Sequence, residues 1–211
     1  LVDDYEADLV LSEMGRRIVR GELVRYATNR LLIHDYLRRH PEALEERIEK
    51  PLIVVGLPRS GTTHLVNLLA ADARFRSLPL WESMEPVPNP REGTPSAVKV
   101  AAVRSVNRVL PRGAREWLGV DRLMADPRYL RCAVSWAGMR TMVPYVAAMH
   151  PMNPDHVHEE IDLMGPDFSS YTFEWTGHVP HYRDDYLATE QAPHYAYMKR
   201  VLQVLQHRDE G

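Results

Sequence analysis

The chain has 211 residues, 45% of them hydrophobic and 26% charged. That is a soluble globular composition, and at roughly 150 residues per domain it predicts one domain, two at most. The formal net charge of -3 is too close to neutral to imply nucleic acid as a partner of the whole chain. A single cysteine, Cys132, excludes an internal disulfide, a zinc ribbon and cysteine-rich scaffolds. No apolar run approaches the ~18 residues that a membrane helix needs. Leu1 is followed at once by Asp3 and Asp4, which reads as neither signal peptide nor initiator methionine. The expectation is a cytoplasmic enzyme or binding domain, cut at its start.

From Tyr5 to Leu37 apolar residues recur three and four apart: Leu9, Val10, Met14 and Ile18, then Leu23, Leu31, Leu32, Ile33 and Tyr36. The spacing predicts amphipathic helix, in two pieces broken at Gly21. Arg38, Arg39 and His40 place cations where a helix end favours them. Pro41 opens a short charged helix ending near Ile48. After Pro51, the run Leu52-Ile53-Val54-Val55 ends in Gly56 and predicts a strand buried on both faces, hence a parallel sheet covered by helices. Leu57 to Gly61 continues neither regular element. Thr62 to Ala71 restores helical spacing on Leu65, Val66, Leu68 and Leu69.

Five prolines between residues 79 and 95 (Pro79, Pro86, Pro88, Pro90 and Pro95) predict ordered loop. Val98 to Leu110 reads as helix. Asp126-Pro127 reads as an N-cap with proline in the first helical turn, opening a helix to about Val143. Pro144, Pro151 and Pro154 interrupt regular structure beyond that helix, and Tyr195 to Gln206 closes the chain as an amphipathic helix. There is no internal repeat. Charge is uneven: residues 99 to 140 carry nine Lys/Arg against three acids, and residues 151 to 190 carry nine acids against Arg183 alone. These are two solvated faces, or a basic wall beside an anionic ligand and an acidic wall beside its acceptor.

A parallel sheet needs several strands, and only one reads convincingly. The expected fold is therefore α/β, a P-loop-type αβα sandwich with a parallel sheet. It is helix-rich in the part present and incomplete at the C-terminus, with further strands beyond Gly211. The expected organisation is one domain over 1–211: a helical lead-in (1–50), a strand-loop-helix phosphate-binding unit (51–80) and a mainly helical acceptor-side segment (81–211).

Gly56-Leu57-Pro58-Arg59-Ser60-Gly61-Thr62-Thr63 has the spacing of a Walker A loop. Backbone N–H groups there, with the positive end of the helix from Thr62, suit an anion. Gly61 supplies the glycine needed where backbone and phosphate come closest. A nucleoside-triphosphate enzyme would have lysine after the second glycine, and here that place holds Thr62. The cation lies inside the loop instead, as Arg59. This points to a phosphate ester and away from a triphosphate–magnesium complex.

The stretch Pro51 to Thr63 resembles the cofactor loop of bacterial sulfotransferases. Leu80-Trp81-Glu82, His150-Pro151-Met152, Glu159-Glu160 and Tyr195 to Leu205 are similar in the expected order, so the resemblance covers roughly residues 40 to 206. It implies that the loop binds the 5′-phosphosulfate side of 3′-phosphoadenosine 5′-phosphosulfate (PAPS), the sulfuryl donor. On this resemblance Pro58, Arg59, Ser60, Gly61, Thr62 and Thr63 bind the cofactor. Arg59 replaces the lysine of cytosolic animal relatives, as in many bacterial ones. The family's 3′-phosphate site, a strand ending in arginine with a serine later, has no match; His207-Arg208-Asp209 resembles its start but comes after a predicted helix.

Sulfuryl transfer is an in-line displacement governed by positioning and charge stabilisation, and it requires no metal. Arg59, with its planar fork, is expected to bind the 5′-phosphate and the bridging oxygen. The acceptor, a small-molecule alcohol or phenol, must lose a proton. Glu159 or Glu160 is the expected base, with His150 next. His156, His158 and Glu159 lack a third ligand at convincing metal spacing. Tyr171, Phe173, Trp175, Tyr182 and Tyr186 line an apolar acceptor pocket or belong to the core. The sequence leaves a homodimer open and expects neither nucleic acid nor a membrane span. Two alternatives stand beside the transferase: a P-loop small-molecule kinase or other nucleotide enzyme, and a truncated, non-catalytic phosphate-binding domain.

Overall fold

The structure, a computed structural model, describes residues 1–8, 10–57, 59–91, 126–149 and 153–210. The chain divides into two compact units, one of Leu1–Thr62 with Glu159–Gly211 and the other of Thr63–His158. The helix expected over Val98–Leu110 and much of the basic stretch 99–140 lie outside the described residues. Among the described residues no helix is long and apolar enough to cross a membrane.

The first unit is helical. Helix α1 (Val2–Ala7) is succeeded by α2 (Glu13–Arg39), whose N-cap Ser12 accepts the N–H of Gly15 at 3.1 Å and whose last turn carries Arg38 and Arg39. The break expected at Gly21 does not occur, and α2 runs through it. A lone helical glycine costs only about 1 kcal/mol, which the packed residues Tyr26, Asn29, Ile33 and Tyr36 offset. These are the buried residues of α2, spaced three and four apart so that they share one face. A 3-10 turn (Pro41–Glu45) comes next, shorter than the predicted helix.

After residue 158 come α7 (Ile161–Met164), α8 (Thr172–Thr176), α9 (Pro180–Ala188) and α10 (Ala192–Glu210), the labels α3–α6 belonging to the other unit. Ile33 of α2, Leu163, Val179, Val201 and Val204 are almost fully buried. Gln203 of α10 donates to the carbonyls of Leu44 and Glu46 at 2.8 and 2.9 Å, and Tyr36 Oη lies 2.8 Å from His207 Nδ1. Asp167 accepts from Arg30 and pairs with His194 Nδ1 at 2.5 Å, which ties α2 to α10. Helix α1 is held from three points. Tyr5 Oη donates to Phe173 O at 2.8 Å, Asp8 accepts the N–H of His178 at 2.8 Å, and Asp4 accepts the N–H of Tyr182 at 2.9 Å.

The second unit begins within α3 (Thr62–Ala70) and continues with α4 (Leu80–Met84), α5 (Pro127–Met142) and α6 (Pro144–Met149). Asp126 caps α5 as the sequence predicts, accepting the N–H of Arg128 at 2.9 Å with Pro127 in the first turn. Helix α4 falls inside the expected proline-rich loop, because Pro79 stands at its N-cap, where the missing N–H is not needed. Leu80 and Cys132 form a small core with Trp81, Met84 and Trp136 packed on it. The buried Arg128 guanidinium lies 4.6 Å from the Trp81 ring centre and donates to the carbonyls of Glu85 and Pro86.

The strand expected at Leu52–Val55 is not seen among the described residues. Residues 51–57 have no regular structure, Ile53 is 68% and Val55 86% exposed, and no strand ladder occurs among the described residues. The one β-contact among the described residues is an isolated antiparallel bridge, Pro79 with Val157.

Candidate functional site

The phosphate-loop stretch leaves the extended residues 51–57, turns tightly and enters α3. The turn is closed by the N–H of Ser60 donating to Leu57 O at 3.1 Å. Arg59 has φ 65° and Gly61 φ 93°. A left-handed arginine is uncommon, and Gly61 lies in the region that glycine alone enters without strain. A Cβ on Gly56 would stand 2.7 Å from both Ser60 Oγ and Thr62 Cγ2, so these two side chains lean over a glycine floor. Arg59, Ser60 and Gly61 are exposed, and Thr62 and Thr63 are half-buried.

The loop is therefore neither sealed from solvent nor collapsed into a core. The Ser60 N–H already serves Leu57, so it is no longer an inward donor. The N–H groups that open α3, from Gly61 onward, belong to the first turn of a helix and have no intrahelical acceptor. An anion there would meet the positive end of a nine-residue helix. A permanently charged guanidinium at Arg59 and the hydroxyls of Ser60, Thr62 and Thr63 suit the same ligand. The residues present thus fit a phosphate ester.

Of the other expected site residues, Pro58 and His150 lie outside the described residues, as do Pro151 and Met152. Glu159 is half-buried, and Glu160, exposed, is the residue that caps α7, its carbonyl accepting the N–H of Leu163 at 2.9 Å. Phe173 is buried and Tyr182 half-buried in the first unit, whereas Tyr171 and Trp175 are exposed and stack edge-on at 6.0 Å. Burial pushes the Tyr182 hydroxyl up to about 12, so it stays protonated. The five aromatics divide between core and surface. Arg208 lies within α10, its guanidinium 5.8 Å from the Tyr36 ring. No group of three His, Cys, Asp or Glu able to hold a metal occurs among the described residues.

One residue is not singled out by its sequence context. Asn67, on α3, accepts the N–H of Val157 at 3.0 Å and donates to Val157 O at 3.0 Å and to Thr63 O at 2.8 Å. Its Nδ2 also lies 3.3 Å from His156 Nε2. The signal that could have found it is a lone amide among Leu65, Val66, Leu68 and Leu69.

The sequence model of the Sulfotransferase family matches residues 51–207. The crystal structure of sulfotransferase STF1 from Mycobacterium tuberculosis H37Rv is similar, with a TM-score of 0.66 and 25% identity, over 98% of this chain and 49% of that one. The chain thus spans about half the length of that solved sulfotransferase. No curated protein matches the chain.

Proposed function

The chain belongs to the sulfotransferase family, and we propose that it moves a sulfuryl group from PAPS to the hydroxyl of a small-molecule acceptor. The observation that carries this reading is the loop: an open turn with Arg59 and Gly61 at positive φ, entering a helix with no lysine after the second glycine. When bound, PAPS supplies an activated sulfuryl group whose departure leaves charge on a phosphate oxygen.

The chain's own residues do the rest. Gly61, Thr62 and Thr63 hold the 5′-phosphate with the N–H groups that open α3 and with two hydroxyls. Arg59 sits against that phosphate and the bridging oxygen, and its fork neutralises the charge that builds there. Such an aimed donor is worth about 3–4 kcal/mol to the transition state. Glu159 or Glu160 takes the acceptor's proton, with His150 as the remaining candidate. A metal is not required, since the migrating group carries a single negative charge.

Calorimetry with the product nucleotide, 3′-phosphoadenosine 5′-phosphate, tests the reading. Arg59→Ala should weaken binding at least tenfold, about 1.4 kcal/mol. Unchanged affinity would remove the loop from the mechanism. A larger thermal stabilisation by ATP with magnesium than by the product nucleotide would instead favour a kinase.

A further inference from the structure

Residues 156 to 158 centre on a single antiparallel bridge, and the two edges of this segment are satisfied differently. On one edge, Leu80 donates to His156 O at 2.9 Å and His158 donates to Leu78 O at 3.1 Å, which makes Pro79 and Val157 a non-hydrogen-bonded antiparallel pair. Backbone groups alternate along an extended chain, so the N–H and C=O of Val157 point to the other edge. Among the described residues no strand meets them there. Asn67 does, accepting from Val157 N and donating to Val157 O, each at 3.0 Å.

A carboxamide is the side chain that copies a peptide group, with one acceptor and a donor at fixed separation. It can therefore stand in for a neighbouring strand at one residue. Leucine in its place would leave the buried Val157 backbone unpaired on that side. Aspartate would keep the acceptor but lose the donor, and would set a carboxylate against the carbonyls of Val157 and Thr63. The carboxamide also anchors itself within α3, since Nδ2 donates back to Thr63 O at 2.8 Å. Thr63 is one residue from the N-terminus of α3 and one of the hydroxyls assigned to the phosphate.

Nδ2 has two hydrogens for three acceptors: Thr63 O, Val157 O and, at 3.3 Å, His156 Nε2. The longest of these is shared, and it asks His156 to offer a lone pair on Nε2, with its proton on Nδ1. Asn67 thus holds the backbone of Val157 and lies beside the ring of His156. Chain continuity carries the constraint onward, because Glu159 is next after His158 and Glu160 caps the adjoining helix.

We propose that Asn67 is a positioning residue: it holds segment 156–158 to α3 and so fixes the backbone from which Glu159 and Glu160 continue. The proposal rests on the reading of these acids as the base for sulfuryl transfer. Asn67 touches neither donor nor acceptor in this scheme and acts only through the segment it holds.

The test uses the full-length protein with Asn67→Asp, which keeps size and one of the two bonds, beside Asn67→Ala. The expected result is threefold. Amide exchange at Val157 becomes at least tenfold faster, kcat falls at least tenfold, and the Kd for the product nucleotide changes less than twofold. Combining Asn67→Asp with the slower of Glu159→Gln and Glu160→Gln should give no further loss of kcat. Unchanged exchange at Val157 would overturn the clamp. A parallel loss of kcat, nucleotide affinity and melting temperature would reduce Asn67 to a structural role and overturn the positioning. Absence of sulfuryl transfer in the unaltered protein would overturn the transferase reading and the positioning with it, while the exchange data would still decide whether Asn67 holds the segment.

Discussion

The Asp4 carboxylate accepts the backbone N–H of Tyr182 at 2.9 Å, so that α1 caps the first turn of α9, 178 positions later. The other oxygen of Asp4 meets His181 Nδ1 at 2.5 Å. A buried acid and an exposed imidazole therefore join the beginning of the chain to a helix far along it.

This pair titrates in opposite senses. Burial works to raise the Asp4 carboxyl, but the Tyr182 N–H and the neighbouring His181 hold it below the usual range. Asp4, helped by Asp184 and Asp185, holds His181 above its ordinary value against a desolvation that lowers it. The Asp4 contribution is present above about pH 4 and fades as pH falls through the depressed value. The His181 contribution is full below about pH 6.5 and fades as pH rises through the elevated one. Between these limits the attachment of α1 is strongest. His181→Gln should lower the melting temperature at pH 5.5 and have little effect at pH 9. An equal difference at both values would show that the imidazole charge does not contribute.

Two glycines give opposite outcomes with alanine. A Cβ on Gly165 would stand 2.1 Å from Cε1 of the buried Tyr26 ring, whereas one on Gly21 meets nothing within 4 Å. Gly165→Ala should destabilise by about 1–3 kcal/mol through overpacking. Gly21→Ala, in the interior of α2, should stabilise by about 0.5–1 kcal/mol. Urea denaturation midpoints measure both, and a neutral Gly165→Ala would mean that the Tyr26 ring moves freely.

Gly61 has open space around it, so only its φ of 93° resists a side chain. Gly61→Ala should lower the melting temperature modestly, because an L side chain at that φ is strained. It should weaken the product nucleotide at least tenfold, about 1.4 kcal/mol, because the N–H groups that open α3 are re-aimed. Full affinity in this variant would rule out backbone donors in the loop.

The two adjacent acids should part company. Neighbouring side chains seldom face the same way, so Glu159→Gln and Glu160→Gln are expected to differ at least tenfold in kcat, with nucleotide affinity constant in both. Steady-state rates at saturating donor measure this. Equal rates near that of the unaltered protein would redirect the search to His150.

What the sequence disclosed was local chemistry. Asp126 and Pro127 announce their helix because a cap needs only the next few residues, and α10 is legible from its apolar spacing. The phosphate-loop pattern is legible for the same reason, being eight consecutive residues. Leu52–Val55 reads as a strand because a β-branched run reports apolarity, while strand formation depends on partners elsewhere, none of which is seen among the described residues. Gly21 misled because its modest penalty is overridden by the packing of Tyr26 to Tyr36. The lone amide at Asn67 stands out among leucines, but neither its partner Val157, 90 positions away, nor the pairing of Asp4 with Tyr182 is written in the neighbouring residues. Such pairings exist only once the helices are placed.

The uncovered stretch from Leu52 to Leu57 lies between two cations. A charge-free ribbon of this make-up is the material from which chains stick edge to edge and seed fibrils. Lys50 stands on one side of it and Arg59 on the other, the placement of charged gatekeepers that disfavour such pairing. Turbidity in a preparation that lacks the guanidinium would thus mark a lost fence, a readout separate from nucleotide affinity.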